Sequence, residues 1–226
     1  MQPSELAPFL QYTNVQPDAT RSDIRAHCER AAKYGFQAVM IQPCWIELAK
    51  EIVRGTHVRV ASAIAYPMGG DTTAMKVALA RELVRLGVDE FDFMPNIGYL
   101  RSGMVNEFLA EIKQVVAVAE GRPVKSMSEF GYLNPEERVL AVTLAEKGGV
   151  SHVKNSSGIG RGGTPATVDE IRFIRDHLTG RAKVKASGGI KNYAQAVAML
   201  EAGASLIGSS AAPAIVGQAS SGSDTY

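Results

Sequence analysis

The stretch "SHVKNSSGIGRGG", residues 151–163, changes abruptly from an apolar strand pattern to a polar, glycine-rich turn. Lys154 stands at the point of change, where the end of a buried strand would carry a charged side chain. A second stretch, "KVKASGGI" at 183–190, has the same layout, with Lys185 at the corresponding point. Two strands that each end on a lysine before a polar turn indicate a repeated strand–turn–helix unit.

The same unit extends along the whole chain, because short apolar runs alternate with longer segments whose apolar residues recur at helical spacing. Strands that alternate with helices predict a parallel sheet, and the number of units predicts an α/β fold, a (β/α)8 TIM barrel. An open doubly wound sheet is the alternative; it more often has a glycine fingerprint after its first strand, where this chain reads "YTNVQPDAT". The strand-like runs are "APFLQYT", "QAVMIQP", "VRVASAIAYP", "EFDFMPNI", "PVKSMSE", "SHVKNS", "AKVKAS" and "SLIGSS", and the helical patterns cover 21–34, 45–54, 73–86, 102–120, 135–147, 166–178 and 191–202.

Domain boundaries follow from the absence of any linker before the last ten residues, "GQASSGSDTY". We therefore predict one barrel domain over 1–216 and a flexible tail over 217–226. Helix ends are recognisable inside the barrel: Asn134 precedes Pro135 as a cap, and Thr167 with Glu170 forms a capping-box pattern.

The composition is that of an ordinary globular protein, with 46% hydrophobic and 21% charged residues. A net charge of +1 argues against nucleic acid or an anionic membrane as a partner. No apolar run approaches the roughly 20 residues that span a bilayer, and the N-terminus lacks a signal-peptide layout. Cys28 and Cys44 are typical of free thiols in a reducing compartment, so we expect a cytoplasmic protein.

Strand alternation predicts which side chains enter the barrel. Val153 and Val184 should face the helices, which turns Lys154 and Lys185 inward, and the same alternation turns Asp92 inward. All three would lie at the C-terminal ends of strands, where barrel enzymes place their active sites.

Two inward lysines and one carboxylate indicate amine chemistry. A free lysine, with a pKa near 10.4, is neutral in only about one molecule in 2,500 at pH 7. A second ammonium about 4 Å away contributes roughly 4 kcal/mol of repulsion, or about three pK units, and burial acts in the same direction. The pattern therefore predicts that Lys185 keeps Lys154 neutral as a Schiff-base nucleophile, while Asp92 moves protons directly or through water.

Glycine-rich turns follow the last two strands, in "SGGIK" and "IGSSA". Barrels commonly bind phosphate there, on backbone N–H groups. The candidate phosphate contacts are Gly188, Gly189, Ser209 and Ser210, with Lys191 adding positive charge.

Structural, non-catalytic roles are the alternative for several of these residues. Lys154 and Lys185 could be solvated lysines at strand ends, and Asp92 could be a structural partner of a lysine. His152 fits a satisfied histidine of the barrel interior better than a catalyst. Glu129 fits a structural ion pair with Lys125.

The segments "FDFMPNIGYLRSG", "VKNSSGIGRGG", "KASGGIK" and "LIGSSA" resemble those of the deoxyribose-phosphate aldolases, the DeoC group of class I aldolases. The resemblance covers essentially the whole chain and implies reversible aldol chemistry through a covalent Schiff base, with no metal or other cofactor. By match to the motifs, Lys154 resembles the Schiff-base lysine, Lys185 the second lysine and Asp92 the proton-relay aspartate. Gly158 falls on a phosphate-binding position, and Tyr226 matches a terminal tyrosine that assists proton transfer in some members. Barrels of this kind are often homodimers.

The chain departs from the family around the expected acceptor pocket. Gln11 and Thr13 lie in "LQYT", where the family usually carries an aspartate, as in "DHT" or "DLT". Ser156 lies in Asn-Ser-Ser, where the family has Thr-Ser-Thr. Gln11, Thr13 and Ser156 are therefore candidate substrate contacts that could alter specificity, although a glutamine cannot carry a proton.

Three functional hypotheses follow. The first is cleavage of 2-deoxy-D-ribose 5-phosphate to D-glyceraldehyde 3-phosphate and acetaldehyde. The second is the same Schiff-base chemistry on a different sugar phosphate or carbonyl donor. The third is a barrel that binds a phosphorylated ligand without aldol chemistry. In the two aldolase hypotheses the partner is a small phosphorylated aldehyde or sugar.

Overall fold

A closed barrel of parallel strands lies at the centre of the structure, a computed structural model in which residues 2–217 are described. Each strand pairs with the next one along the chain, and the last strand closes on the first. The barrel predicted from the sequence is confirmed, and the open sheet is excluded. The strands are β1 (Leu10–Asn14), β2 (Ala38–Ile41), β3 (Arg59–Ile64), β4 (Glu90–Phe93), β5 (Val124–Met127), β6 (His152–Lys154), β7 (Lys183–Ser187) and β8 (Ala204–Ser209).

Helices follow the strands around the outside of the barrel, and short 3₁₀ turns cover Pro3–Phe9, Pro43–Trp45 and Phe130–Tyr132. Within residues 2–217, no helix is both long enough and apolar enough to cross a membrane. Tyr226 and the rest of the predicted tail beyond Gly217 lie outside the described residues. The helices are α1 (Arg21–Tyr34), α2 (Ile46–Ile52), α3 (Thr73–Arg85), α4 (Ile97–Arg101), α5 (Val105–Ala117), α6 (Pro135–Lys147), α7 (Val168–His177), α8 (Tyr193–Glu201) and α9 (Ala212–Gly217).

Side chains at the helix starts satisfy the backbone N–H groups that the first turn leaves free. Asn134 and Glu137 form a reciprocal capping box at the start of α6. The capping box predicted for α7 forms only in part: Thr167 Oγ1 accepts from the backbone N–H of Glu170 at 3.1 Å. The Glu170 carboxylate instead accepts a hydrogen bond from Asn155, the residue after Lys154, at 3.2 Å, which ties α7 to the end of β6.

The apolar core lies between the strands and the helices. The outward strand residues Phe91, Phe93, Val153 and Val184 are all buried there, and each large apolar side chain removed from water contributes about 1.5–3 kcal/mol. Because neighbouring residues of a strand face opposite sides, this outward set directs the charged residues between them into the barrel.

Candidate active site

A cluster of charged side chains occupies the barrel interior around the Asp92 carboxylate. Lys185 Nζ donates to Asp92 Oδ2 at 2.6 Å and Lys154 Nζ donates to the same oxygen at 3.0 Å. All three residues are buried, with exposed fractions of 0% for Asp92, 1% for Lys185 and 4% for Lys154. The structure therefore brings together the three residues that the sequence assigned to amine chemistry.

Strand register explains why these side chains meet. Lys154 of β6 lies opposite Lys185 of β7, and Asp92 of β4 lies opposite Lys125 of β5. Space for the Lys185 side chain depends on Gly208 of β8, where a Cβ atom would lie 3.3 Å from Lys185 Cε and 3.0 Å from Ser187 Oγ.

A second ion pair lies beside the first cluster. Lys125 Nζ is 2.6 Å from Glu90 Oε2 and 3.5 Å from Asp92 Oδ1. Arg59, the first residue of β3, donates to Glu90 Oε1 at 2.9 Å. The predicted pair between Glu129 and Lys125 is wrong, because Glu90 occupies that role. The two neighbouring clusters together hold three buried lysines and two buried carboxylates, so full ionisation of these five groups would leave an excess positive charge.

That excess is consistent with the direction of the pKa shifts. Burial lowers the pKa of Lys185 to about 7; the Asp92 charge opposes this shift, and the charges of Lys154 and Lys125 reinforce it. Burial also disfavours the Asp92 carboxylate, yet the three lysines together hold its pKa below the usual range. The sequence assigns Lys185 the role of keeping Lys154 neutral; in the structure, burial lowers the pKa of Lys185 itself, which is almost completely buried.

Gln11 lies under this cluster rather than in contact with open space. Its Oε1 accepts a short hydrogen bond from Lys185 Nζ, and its Nε2 donates to Glu90 Oε2 and to Gln37 Oε1, each at 2.7 Å. The carboxylate on one side and the ammonium on the other determine which way the amide faces. With an exposed fraction of 0%, Gln11 has no surface to offer a substrate.

A cavity of about 400 Å³ opens at the C-terminal ends of the strands, and its wall is formed by the turns that follow them, whereas Lys154, Lys185 and Asp92 are not among its lining residues. Most of the predicted binding residues line it, whereas Gln11 and Ser156 do not. The structure also adds Tyr66 and His27 to the wall, and the strand and motif patterns of the sequence do not indicate either residue. The predicted residues that line the cavity are Thr13, Gly158, Gly188, Gly189, Lys191, Ser209 and Ser210.

The glycine turn after β7 has a conformation that other residues rarely adopt. Gly188 has φ +103° and Gly189 has φ +68°, and a Cβ atom on Gly188 would lie 2.7 Å from the carbonyl oxygen of Thr164. Ser209 Oγ donates to the carbonyl oxygen of Ile190 at 2.6 Å, which joins the end of β8 to this turn. The two predicted phosphate segments therefore form one continuous wall.

Ser156 contributes from behind the wall. Its hydroxyl donates to Glu129 Oε1 at 3.3 Å and accepts from the backbone N–H of Gly158 at 3.0 Å. The Glu129 carboxylate also accepts from the backbone N–H of Ser157, at 3.1 and 3.2 Å. Burial raises the pKa of Glu129, although these hydrogen bonds oppose the shift. The contacts hold the turn that follows Lys154.

Tyr66 follows β3 and reaches across to that same turn. Its Oη donates to the carbonyl oxygen of Ser157 at 2.9 Å, and its ring centroid lies 5.9 Å from Lys154 Nζ. Burial raises the pKa of Tyr66, with the Asp92 and Glu129 charges adding to the effect. An aromatic residue two positions after the end of a barrel strand is the signal that could have identified it from the sequence.

Both histidines near the cluster are held neutral. Burial lowers the pKa of His152 to about 4, and its Nδ1 lies 3.0 Å from Ser151 Oγ. Burial also lowers the pKa of His27 to about 4; its ring stacks on Tyr12, and its Nε2 lies 3.0 Å from the Tyr12 carbonyl oxygen. Each ring is thus bonded to a neighbour outside the lysine pair, which suits structural roles for both histidines.

Comparison with known proteins identifies the lineage. No family model matches the chain. The chain is 42% identical over 216 residues to a deoxyribose-phosphate aldolase of Thermococcus gammatolerans, covering 94% of this chain and 95% of that protein. It is 40% identical over 212 residues to the enzyme of the same name from Dictyoglomus turgidum, with coverage of 94% and 96%. The tetrameric deoxyribose phosphate aldolase of Aeropyrum pernix superposes with a TM-score of 0.88 at 25% identity, covering 97% of this chain and 93% of that one. On these similarities and on the confirmed barrel, the chain belongs to the deoxyribose-phosphate aldolase family.

Proposed function

We propose that the protein is a Schiff-base lyase that reversibly cleaves 2-deoxy-D-ribose 5-phosphate to D-glyceraldehyde 3-phosphate and acetaldehyde. The observation that carries the proposal is the shared Asp92 oxygen, which holds Lys154 and Lys185 together near the ends of two strands whose following turns line the cavity. The relatives named deoxyribose-phosphate aldolase supply the substrate class.

Lys154 is the nucleophile in this proposal. Its side chain is more exposed than that of Lys185, with exposed fractions of 6% and 1%. The Tyr66 ring, which lies beside Lys154, lines the cavity. Lys185 is held by both oxygens of Asp92 and by Gln11, so its amine is less free to reach a carbonyl.

Proton exchange within the pair prepares the attack. Because both amines contact one carboxylate oxygen, a proton lost near neutral pH belongs to the pair rather than to one lysine. Lys185, with its lowered pKa, supplies the neutral amine, and transfer through Asp92 leaves Lys154 neutral when a carbonyl arrives.

Bond cleavage then uses the imine as an electron sink. The substrate C1 carbonyl condenses with Lys154 and releases water. As the 3-hydroxyl gives its proton to water held by Asp92, the electrons of the C2–C3 bond move into the iminium, which gives an enamine on Lys154 and releases D-glyceraldehyde 3-phosphate. The enamine carbon takes a proton from water held by Asp92, and hydrolysis of the imine releases acetaldehyde. These steps balance without a metal or an organic cofactor.

The phosphate of the substrate is assigned to the wall formed by the two glycine turns. Backbone N–H groups of Gly188, Gly189 and Ser210 are suited to bind an anion, and Lys191 adds a cation at the rim. Gln11 and Ser156 are assigned positioning roles, because their polar atoms bond to protein groups below the wall. A homodimer stays a prediction, which sedimentation measures.

Borohydride trapping tests the proposal directly. Acetaldehyde and borohydride should add an ethyl group to Lys154, found by mass spectrometry of peptides, and Lys154→Met should abolish the adduct and the turnover of deoxyribose 5-phosphate. Lys33→Met, at an exposed lysine on α1, is the control and should keep both. An active wild-type enzyme without an adduct on Lys154 would remove the mechanism.

A further inference from the structure

Gln11 of β1 connects the two charged clusters inside the barrel. Its Oε1 accepts from Lys185 Nζ, and its Nε2 donates to Glu90 Oε2 at 2.7 Å. The second hydrogen of Nε2 goes to Gln37 Oε1, also at 2.7 Å. Because Gln11 is completely buried, these protein groups take the place of water as its hydrogen-bond partners.

The two polar atoms of this amide face groups of opposite charge. A carboxylate at the same place could accept from Lys185 but could not donate to Glu90. An ammonium could donate to Glu90 but could not accept from Lys185. The amide does both and carries no charge, so it joins the two clusters and leaves their total charge unchanged.

The Glu90 charge is already balanced by cations other than Lys185. Its carboxylate accepts from Gln37 Nε2 at 2.6 Å and from Arg59 at 2.9 Å, and Lys125 Nζ lies 2.6 Å from Oε2. Burial opposes ionisation of Glu90, yet Lys125 and these donors lower its pKa to about 2. Glu90 is therefore ionised at neutral pH and bound to partners of its own.

The charged groups that face Lys185 include more cations than anions. Among the described residues, Asp92 on β4 is the one carboxylate within hydrogen-bond distance of its Nζ. Lys154 on β6 and Lys125 on β5 both disfavour its ammonium form. His152 on β6 adds no charge near neutral pH, because burial lowers its pKa to about 4, and β8 carries no charged residue. The residue that β1 places beside Lys185 therefore decides whether this excess of cations is neutralised.

We infer that Gln11 is a positioning residue that keeps the pair of Lys154 and Lys185 at a single positive charge near neutral pH. It fills the space between the two clusters with a carbonyl oxygen that accepts from Lys185 as an amine or as an ammonium. A carboxylate in that space would favour the ammonium and leave both lysines charged, so that neither could attack a carbonyl. The inference rests on the proposed function, because it concerns the amine that forms the imine.

The experiment measures the acidic midpoint, the pH at which the rate falls to half its plateau on the acidic side. The rates are kcat/KM for deoxyribose 5-phosphate and cyanoborohydride trapping of acetaldehyde on Lys154; acetaldehyde has no ionisable group, so its midpoint belongs to the protein. Gln11→Glu keeps the size of the side chain, and the shorter Gln11→Asp withdraws the carboxylate from Glu90. An opposite charge within about 4–6 Å favours the charged form by roughly one to three pH units, so we expect the acidic midpoint to rise by at least about one unit in both variants.

Gln11→Met removes the hydrogen bonds without adding a charge, and its acidic midpoint should not rise. Gln114→Glu, which adds the same charge at an exposed position of α5, should match the wild type. An unchanged midpoint in both acidic variants, or in the one that folds, would overturn the inference, as would an equal rise in Gln11→Met. A wild-type midpoint of about pH 10, that of an ordinary lysine, would overturn it without any variant. A missing ethyl adduct in the wild type would instead refute the Schiff-base proposal, so the two failures are distinct.

Discussion

Lys154 and Lys185 lie opposite each other in the register of β6 and β7, and their Nζ atoms both reach Asp92 Oδ2, at 3.0 and 2.6 Å. Because both amines contact the same carboxylate oxygen, a proton on one amine disfavours a proton on the other. The arrangement stabilises one shared positive charge better than two, since a second ammonium has no acidic partner of its own.

Replacing Lys185 by methionine should lower kcat/KM at neutral pH. Lys185→Met leaves Lys154 alone with Asp92, which favours the ammonium form of Lys154. At pH 7 an ordinary lysine is neutral in about one molecule in 2,500, so we expect kcat/KM to fall by roughly 100- to 1,000-fold.

The pH profile of kcat/KM distinguishes this effect from damage to the fold. Activity of Lys185→Met should recover in part as the pH rises, because the Lys154 ammonium then loses its proton. A loss of the same size at every pH would count against the charge role, and Lys33→Met is the control for removal of a lysine.

Much of this site could be predicted from the strand pattern. Period-two alternation around Val153, Val184 and Phe91 places Lys154, Lys185 and Asp92 inside the barrel, and the structure has them there. The helical patterns also predict the longer helices, and the pattern over 135–147 matches the bounds of α6 in the structure. The five-residue α4 and six-residue α9 were missed, because so few turns show no periodicity.

The level of each charged side chain along the barrel axis and the conformation of the loops could not be predicted from the sequence. The register of β4 and β5 sets Lys125 opposite Asp92, yet Lys125 Nζ pairs with Glu90, which lies two residues earlier in β4. Tyr66 reaches the cavity because its loop turns sharply at Ala65, which has φ +57°. The pattern of apolar and polar residues indicates neither the contacts between side chains at different levels of the barrel nor a positive φ at a non-glycine residue.

Stability should depend on pH through Lys185. An unfolded lysine has a pKa of about 10.4, and burial lowers the folded value to about 7. Between these values the unfolded chain binds more protons, so the free energy of unfolding rises with pH by up to about 1.4 kcal/mol per unit. Below pH 7 both states are protonated and the contribution is constant.

Urea denaturation from about pH 6 to pH 9 checks this linkage. The stability of the wild type relative to Lys185→Met should increase over that range. Parallel stability curves for the two proteins would show that Lys185 keeps an ordinary pKa in the folded state.

Removal of one partner of the buried pair of Lys125 and Glu90 should lower the free energy of unfolding more than removal of both partners. Lys125→Met leaves Glu90 with only Arg59 and amide partners, and breaking a buried pair typically costs about 3–5 kcal/mol. The double variant Glu90→Gln with Lys125→Met should regain part of that loss.

Denaturant unfolding of the two single variants and the double variant measures this coupling. Lys50→Met, in the partly exposed pair with Asp89, is the matched control and should cost less than about 1 kcal/mol. Additive losses in the double variant would mean that the pair is not coupled.

Lys191 provides a test of the phosphate wall that leaves the lysine pair intact. Lys191→Met removes the exposed cation at the rim, while the glycine turn that lines the cavity keeps its conformation. A charge-assisted contact that is partly open to solvent is worth roughly one order of magnitude. We expect KM for deoxyribose 5-phosphate to rise about 10-fold with kcat little changed. Trapping of acetaldehyde on Lys154 should be unaffected, since that donor has no phosphate; equal loss of both readouts would place Lys191 in the chemistry rather than in phosphate binding.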